Sequence, residues 1–237
     1  MNHSILRLTV AAASAFGIFG ISMASPVAFQ NGTATYSQTF DGGYPPSETI
    51  DGIFTAGNGW AIFNQAGGTS AQTIVWETTT DLTAAGLSFD MFFNHGSQHL
   101  LGRFRFSVTT DDRSLFADGL GEGGDVTANW TVMTPASVTA TTGLTSTILG
   151  DGSVRMGGTV PAVGSYTVNF FENFVGVTGV RLEAMEDALL PTSGPGLQPS
   201  NGNFVLTEIV ATSNPVPEPA TLAILGLGAL FLRRRRS

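Results

Sequence analysis

His95 and His99 stand four residues apart in the stretch "FFNHGSQHLLGRFRF". On a helix that spacing puts two imidazoles on one face, where they could hold zinc. Gly96 between them, strand-like runs on both sides and the absence of an intervening glutamate argue for a loop or strand-end pair that lines a ligand edge. Trp60, Trp76 and Trp130 suggest other chemistry. An indole stacks on the apolar face of a pyranose while nearby Asn, Asp, Arg and His side chains bind its hydroxyls. Trp60, His95, His99, Arg103 and Arg105 form the candidate ligand-binding set, and for each indole the competing expectation is a place in the core. Asp111, Asp112, Asp118, Glu122 and Asp125 gather among glycines but lack the EF-hand spacing of oxygen ligands, so they read as a solvated loop.

Signals for catalysis are few. There is no nucleophile elbow "GxSxG" and no phosphate loop. With no cysteine, thiol catalysis, thiolate zinc sites and iron–sulfur clusters are excluded. Glycoside hydrolysis needs two carboxylates about 5–10 Å apart, and no pair here sits in a recognised motif. The expectation is a protein that is not an enzyme.

Composition narrows the partners. The chain has 237 residues, 42% of them hydrophobic, which is ample for a core. Charged residues make up 12%, about half the usual share. Every basic residue is an arginine. Setting aside Arg7, the four terminal arginines and Glu218, the 10 arginines and 18 carboxylates fall to 5 and 17, a net −12. So acidic a body disfavours nucleic acid, whose phosphates need a basic face. It is compatible with calcium, which takes oxygen ligands.

The elements that must position these residues read as strands. Short runs rich in Thr, Val, Ile and Phe are separated by Gly, Asn and Asp: Thr33–Phe40, Gln72–Glu77, Leu87–Phe93, Arg103–Thr109, Ser137–Thr141, Ser153–Met156, Ser165–Phe171, Thr178–Ala184 and Asn203–Ala211. In "GRFRFSVT", Phe104, Phe106 and Val108 share one face and Arg103, Arg105 and Ser107 the other, the period of a half-buried strand. Many short strands with turn signals between them predict an all-β, antiparallel sandwich or jelly roll. The glycine-rich stretch Ala117–Asn129 is a soft boundary, so the body over 25–214 reads as one sandwich or two modules.

Both ends lie outside that body. Arg7, an apolar run from Leu8 to Ile21 and small residues at Ser22 and Ala24 predict a secretory signal helix over 1–24, removed after Ala24. Its partners would be the Sec translocon and signal peptidase. At the other end Val216, Pro217, Glu218 and Pro219 cannot continue a helix or strand. Residues 220–232 follow as a short apolar transmembrane helix of about 20 Å, against a hydrocarbon core of about 30 Å. Arg233, Arg234, Arg235 and Arg236 would stop transfer. In content and order, segment 215–237 resembles the PEP-CTERM sorting signal of Gram-negative bacteria. The resemblance implies transient anchoring in the inner membrane, processing by an exosortase, and delivery to the cell surface or extracellular matrix of exopolysaccharide-producing, biofilm-forming cells.

Two blocks of the body carry a second resemblance. "SQTFDGGYPPSETIDGIFTAGNGWAIFNQ", with its "IDG" and a tryptophan eight residues on, is similar to the opening of galactose-binding-like, discoidin-type domains. "VTGVRLEAMEDALLPTSGPGLQPSNGNFVLTEI" is similar to a block found beside the first in large bacterial surface proteins. The resemblance implies a galactose-binding-like sandwich whose Asp-Gly loop often holds a structural calcium ion. Carried onto this sequence, Asp51 and Glu208 would be its carboxylate ligands, and carbonyls of the 52–59 loop would supply the other oxygens. The function this predicts is non-catalytic binding of exopolysaccharide glycan. The alternatives are a structural or adhesive matrix protein without a discrete site and, less favoured, a secreted glycan-active enzyme.

Overall fold

The computed structural model describes residues 24–214. The predicted signal helix, the sorting motif 216–219, the apolar run 220–232 and the arginine tail 233–236 lie outside the described residues. Among the described residues no helix is long and apolar enough to cross a membrane.

The described residues form fourteen strands. They are β1 (Ser25–Val27), β2 (Phe29–Ala34), β3 (Trp60–Ala61), β4 (Gln72–Ala84), β5 (Gly86–Phe93), β6 (Arg103–Thr109) and β7 (Thr131–Val132). The second half adds β8 (Ser137–Ala140), β9 (Leu144–Ile148), β10 (Val154–Gly158), β11 (Gly164–Phe170), β12 (Phe174–Ala184), β13 (Val205–Leu206) and β14 (Glu208–Asn214). Short 3-10 turns occur at Pro46–Thr49, Arg113–Leu115 and Pro191–Ser193. One sheet has the order β1-β14-β5-β11-β8. The other runs β2-β4-β12-β6-β10-β9, with β7 beside β6, and β3 pairs with β13 as a small ribbon. All pairings are antiparallel.

Strands from both sides of Ala117–Asn129 alternate within each sheet, β5 beside β11 and β14, β6 beside β10 and β12. The body is therefore one sandwich and not two modules. The period-2 reading explains its core. Phe104 and Phe106 of β6 face Phe89 of β5 and Tyr166 and Phe170 of β11, all fully buried. Phe89 stacks on Phe106 with ring centres 4.6 Å apart. Each such ring contributes about 1.5–3 kcal/mol relative to exposure. The buried Tyr166 hydroxyl donates to Leu101 O at 2.9 Å, and burial pushes its pKa far up, so it stays neutral.

Several boundaries depart from the sequence pattern. The run expected over 33–40 leaves the sheet after Ala34, because Gln38 N–H bonds Ala61 O and Tyr44 N–H bonds Gln38 O in a separate loop. The run expected over 203–211 breaks at Thr207, whose N–H reaches Phe92 O. Strands β1, β3, β7 and β9 carry no pattern of their own and are fixed by their partners. These breaks gather where β5 ends and β14 begins, and there they build a cluster of loops at one end of the sandwich.

Candidate functional site

Four loops meet at this end. The segment 38–44 follows β2, residues 63–65 follow β3, 95–99 leave β5, and 201–205 lead into β13. Between them lies a cleft of about 410 Å³. Phe40 and Phe63 form its half-exposed aromatic wall, edge to face at 6.0 Å. Gln38, Asp41, Tyr44, His95, His99, Asn201 and Asn203 supply its polar groups. Asn203 is held from behind, its Oδ1 accepting from Ile62 N–H at 3.2 Å. Tyr44 is nearly buried, with its ring edge against His95 at 5.7 Å. Burial, then the charges of Asp41 and Glu48, raise the Tyr44 pKa, so its hydroxyl remains a donor at neutral pH.

The structure brings His95 and His99 together, ring centres 4.6 Å apart, on a turn rather than a helix. Burial lowers the His99 pKa, the Gly96 carbonyl works against that, and the neighbouring His95 lowers it further. The remaining candidates go elsewhere. Trp60 is fully buried, packed edge to face on Phe204 at 5.1 Å, with its indole N–H on Tyr36 O at 3.0 Å. It is a core residue and offers a sugar no surface; the aromatic side chains that line the cleft are Phe40, Phe63 and Tyr44. Trp76 is also fully buried, and its N–H donates to Thr49 Oγ1 at 2.8 Å. Trp130 lies under the Arg181 guanidinium at 5.2 Å.

Arg103 and Arg105 do not line the cleft. They lie on the outer face of the larger sheet, as the strand alternation requires. Arg103 pairs with Asp151 at 2.8 Å and Asp187 at 3.5 Å, and Arg105 pairs with Glu183 at 2.8 Å. Their donors are already engaged, so the ligand role expected of them is corrected to an ion-pair network. The acidic stretch behaves as a self-bonded loop. Asp112 caps the Arg113–Leu115 turn, and Asp118 accepts from Leu120 and Asp125 N–H.

Asp51 and Glu208 do converge. Glu208 opens β14, is only 4% exposed, and accepts from Gly52 N–H at 3.2 Å. Its pKa is pushed up to about 7, first by burial and then by the charge and hydrogen bond of Asp51, against the pull of the Gly52 N–H. Beside this pair, Glu48 O, Asp51 Oδ1 and Ile53 O surround the side-chain nitrogen of Asn58 at 2.8, 3.1 and 2.9 Å. Three oxygens closing on one electropositive group, with a second carboxylate adjoining, suit a hard cation such as calcium. The Asn58 amide carries an oxygen at its other end, and rotation would present it as a further ligand. No group of three or more His, Cys, Asp or Glu side chains that could hold a metal occurs among the described residues. A cation here would have to draw on carbonyls. Those of Phe54 and Ala56 are taken, by Asn94 Nδ2 and His95 Nδ1, so they tie the loop to the end of β5 instead.

Gln38, Asp41, Tyr44, Asn201 and Asn203 escape a reading based on strand period, because none lies in a strand. The turn signals "DGG" (41–43) and "NGN" (201–203) mark their loops. Nothing local shows that the two loops meet.

Residues 215–237 match the PEP-CTERM protein-sorting motif, a motif of exported proteins sorted to the cell surface. No curated protein matches the chain. Among solved structures the chain is similar to CpGH89CBM32-5 from Clostridium perfringens, solved in complex with GalNAc-beta-1,3-galactose. That likeness has a TM-score of 0.47 at 13% identity and covers 79% of this chain and 99% of that one. The family 32 carbohydrate-binding module of C. perfringens NanJ, solved with galactose, aligns with a TM-score of 0.47 at 11% identity, over 81% of this chain and 100% of that one. An F5/8 type C domain from Bacteroides fragilis aligns with a TM-score of 0.45 at 14% identity, over 81% and 98%.

Proposed function

We propose that this chain is an exported, exosortase-sorted protein of the cell surface or extracellular matrix that binds exopolysaccharide glycan without catalysis. The observation that carries the reading is the cleft at the end of the sandwich, lined by the aromatic pair Phe40 and Phe63 together with Asn201 and Asn203. Aromatic side chains together with amide and imidazole groups suit a pyranose, which has an apolar face and hydroxyls around its edge. Among the described residues no arginine lines the cleft, and its one carboxylate is Asp41, so a neutral sugar fits better than a phosphate or sulfate ester.

In this reading the oxygen cage of Glu48, Asp51, Ile53 and Glu208 holds calcium, which stiffens the 51–58 loop. That loop supports His95 through Ala56 O, so the ion fixes one wall of the cleft without touching the ligand. In the same reading the N-terminal stretch 1–24 takes the chain through the Sec translocon to signal peptidase, and the C-terminal motif supports transient anchoring in the inner membrane followed by exosortase processing.

The test is a glycan array with neutral and anionic bacterial polysaccharides, followed by calorimetry with calcium or EDTA. Saturable binding of neutral glycans, weakened at least about 10-fold by Phe63→Ala, is expected. No binding to any polysaccharide in either condition would sink the proposal.

A further inference from the structure

The turn that joins the two histidines is conformationally costly. Gly96, Ser97 and Gln98 take φ values of 95°, 49° and 63°. For the two that carry side chains, this costs about 1–2 kcal/mol each. The turn closes with His99 N–H on Gly96 O at 3.1 Å and returns His99 to within 4.6 Å of His95, ring centre to ring centre. Local strain of this kind gathers at functional sites.

The hydrogen bonds fix which ring atom is left over. His95 Nδ1 lies 2.8 Å from Ala56 O, and His99 Nδ1 lies 2.9 Å from Gly96 O. A carbonyl only accepts, so both neutral rings carry their proton on Nδ1. Among the described residues neither Nε2 has a hydrogen-bond partner. Histidines that bind metals are held in this way, one nitrogen on a carbonyl and the other presenting its lone pair. The spacing agrees. With metal–nitrogen bonds of about 2.0–2.1 Å, and ring centres about 1.1 Å behind the nitrogens, two imidazoles on one ion stand about 4.5–5.2 Å apart for bond angles of about 90–110°.

We propose that His95 and His99 together bind one borderline divalent cation, zinc or copper(II), through Nε2, with the remaining positions open to water in the cleft. Asp41, the one carboxylate lining that cleft among the described residues, adds favourable charge. Two protein ligands make the ion exchangeable, with micromolar affinity and copper held more tightly than zinc. The site is separate in chemistry from the oxygen cage around Asn58, whose hard ligands suit calcium.

The test uses the untagged full-length chain carrying His3→Gln, so that the amino terminus and His3 cannot chelate copper. Calorimetry with zinc chloride and copper(II) chloride at pH 7.5 is expected to show one saturable site, with a zinc Kd on the order of 10 µM and a lower value for copper. His95→Gln and His99→Gln should each weaken binding at least about 10-fold, and excess calcium should not compete. Copper electron paramagnetic resonance on the His3→Gln chain should show two coordinated imidazole nitrogens, a readout that stands even where a histidine variant fails to fold. Absence of saturable zinc or copper binding below about 1 mM, binding unchanged in the double histidine variant, or a signal from one imidazole would each overturn the proposal.

Discussion

Replacing Glu208 by glutamine should make the calcium-free protein more stable at pH 8 and leave it unchanged at pH 4.5. The carboxyl is buried beside Asp51, and its pKa rises from an ordinary 4.5 to about 7. The folded state therefore holds a proton between those values that the unfolded chain has released. That contribution to stability is complete below pH 4.5 and is lost as pH rises through 7. At about 1.36 kcal/mol per pH unit the full difference would approach ~3.4 kcal/mol. Asp51 is exposed, so water screens part of the repulsion, and a loss of ~1–2 kcal/mol is the better expectation. The substituted amide is neutral throughout and can still accept from Gly52 N–H and donate to Asp51. In EDTA at pH 8 the variant should melt about 2–6 °C higher than the parent. If calcium binds the cage as proposed, it should reverse the order. The parent gains about 2.7 kcal/mol at 100 times its Kd, while the glutamine variant, lacking one carboxylate ligand, gains much less. Thermal unfolding by circular dichroism at pH 4.5, 6 and 8, with EDTA or calcium, checks both effects. A glutamine variant no more stable than the parent at pH 8 in EDTA would refute the electrostatic account of this pair.

Other substitutions test the remaining assignments. Trp60→Phe removes the bond to Tyr36 O and leaves a void in the core; a loss of ~1–3 kcal/mol in urea unfolding is expected, with glycan affinity unchanged for the fraction that folds. Gly59 has a φ of +127°, and a Cβ there would collide with Leu206 O; Gly59→Ala should cost at least ~3 kcal/mol or abolish soluble expression. Arg105→Ala breaks a half-exposed pair with Glu183; it should cost ~0.5–1 kcal/mol and leave glycan binding intact, as calorimetry on the same sample would show.

The fold was legible because the core is written in adjacent residues. Phe104, Phe106 and Val108 reveal their common face at a spacing of two, and β6 spans the residues its pattern predicts. The cleft is written differently. Tyr44 and His95, 51 positions apart, meet edge to face, and Asn203 reaches Ile62 across 141. Their side chains converge through loop closure, which leaves no period. Trp60 shows the opposite failure. Its residue type suggests a sugar platform, but an indole beside a pattern of small turn residues is equally what a sandwich end needs to fill its core, and only the packing against Phe204 separates the two. Arg103 and Arg105 fall to the same logic in reverse: their alternation with phenylalanine already placed them on the outer face of β6, where they pair with acidic neighbours.

The Asp51 and Glu208 pair was reachable only through resemblance, and the structure shows why its position matters for the cleft. The 51–58 loop has no strand of its own. It is held at Asn58 by three oxygens, at Phe54 by Asn94, and at Ala56 by His95. In a chain without cysteine these polar ties do the work a disulfide would do elsewhere, and one of them ends on a cleft residue. Glu208→Ala removes the acceptor of Gly52 N–H and so loosens the loop; it should therefore reach His95 through Ala56 O, whereas the same loss of stability from Arg105→Ala should not. Histidine chemical shifts in the two variants, compared at equal stability, separate a local tie from a general weakening of the sandwich.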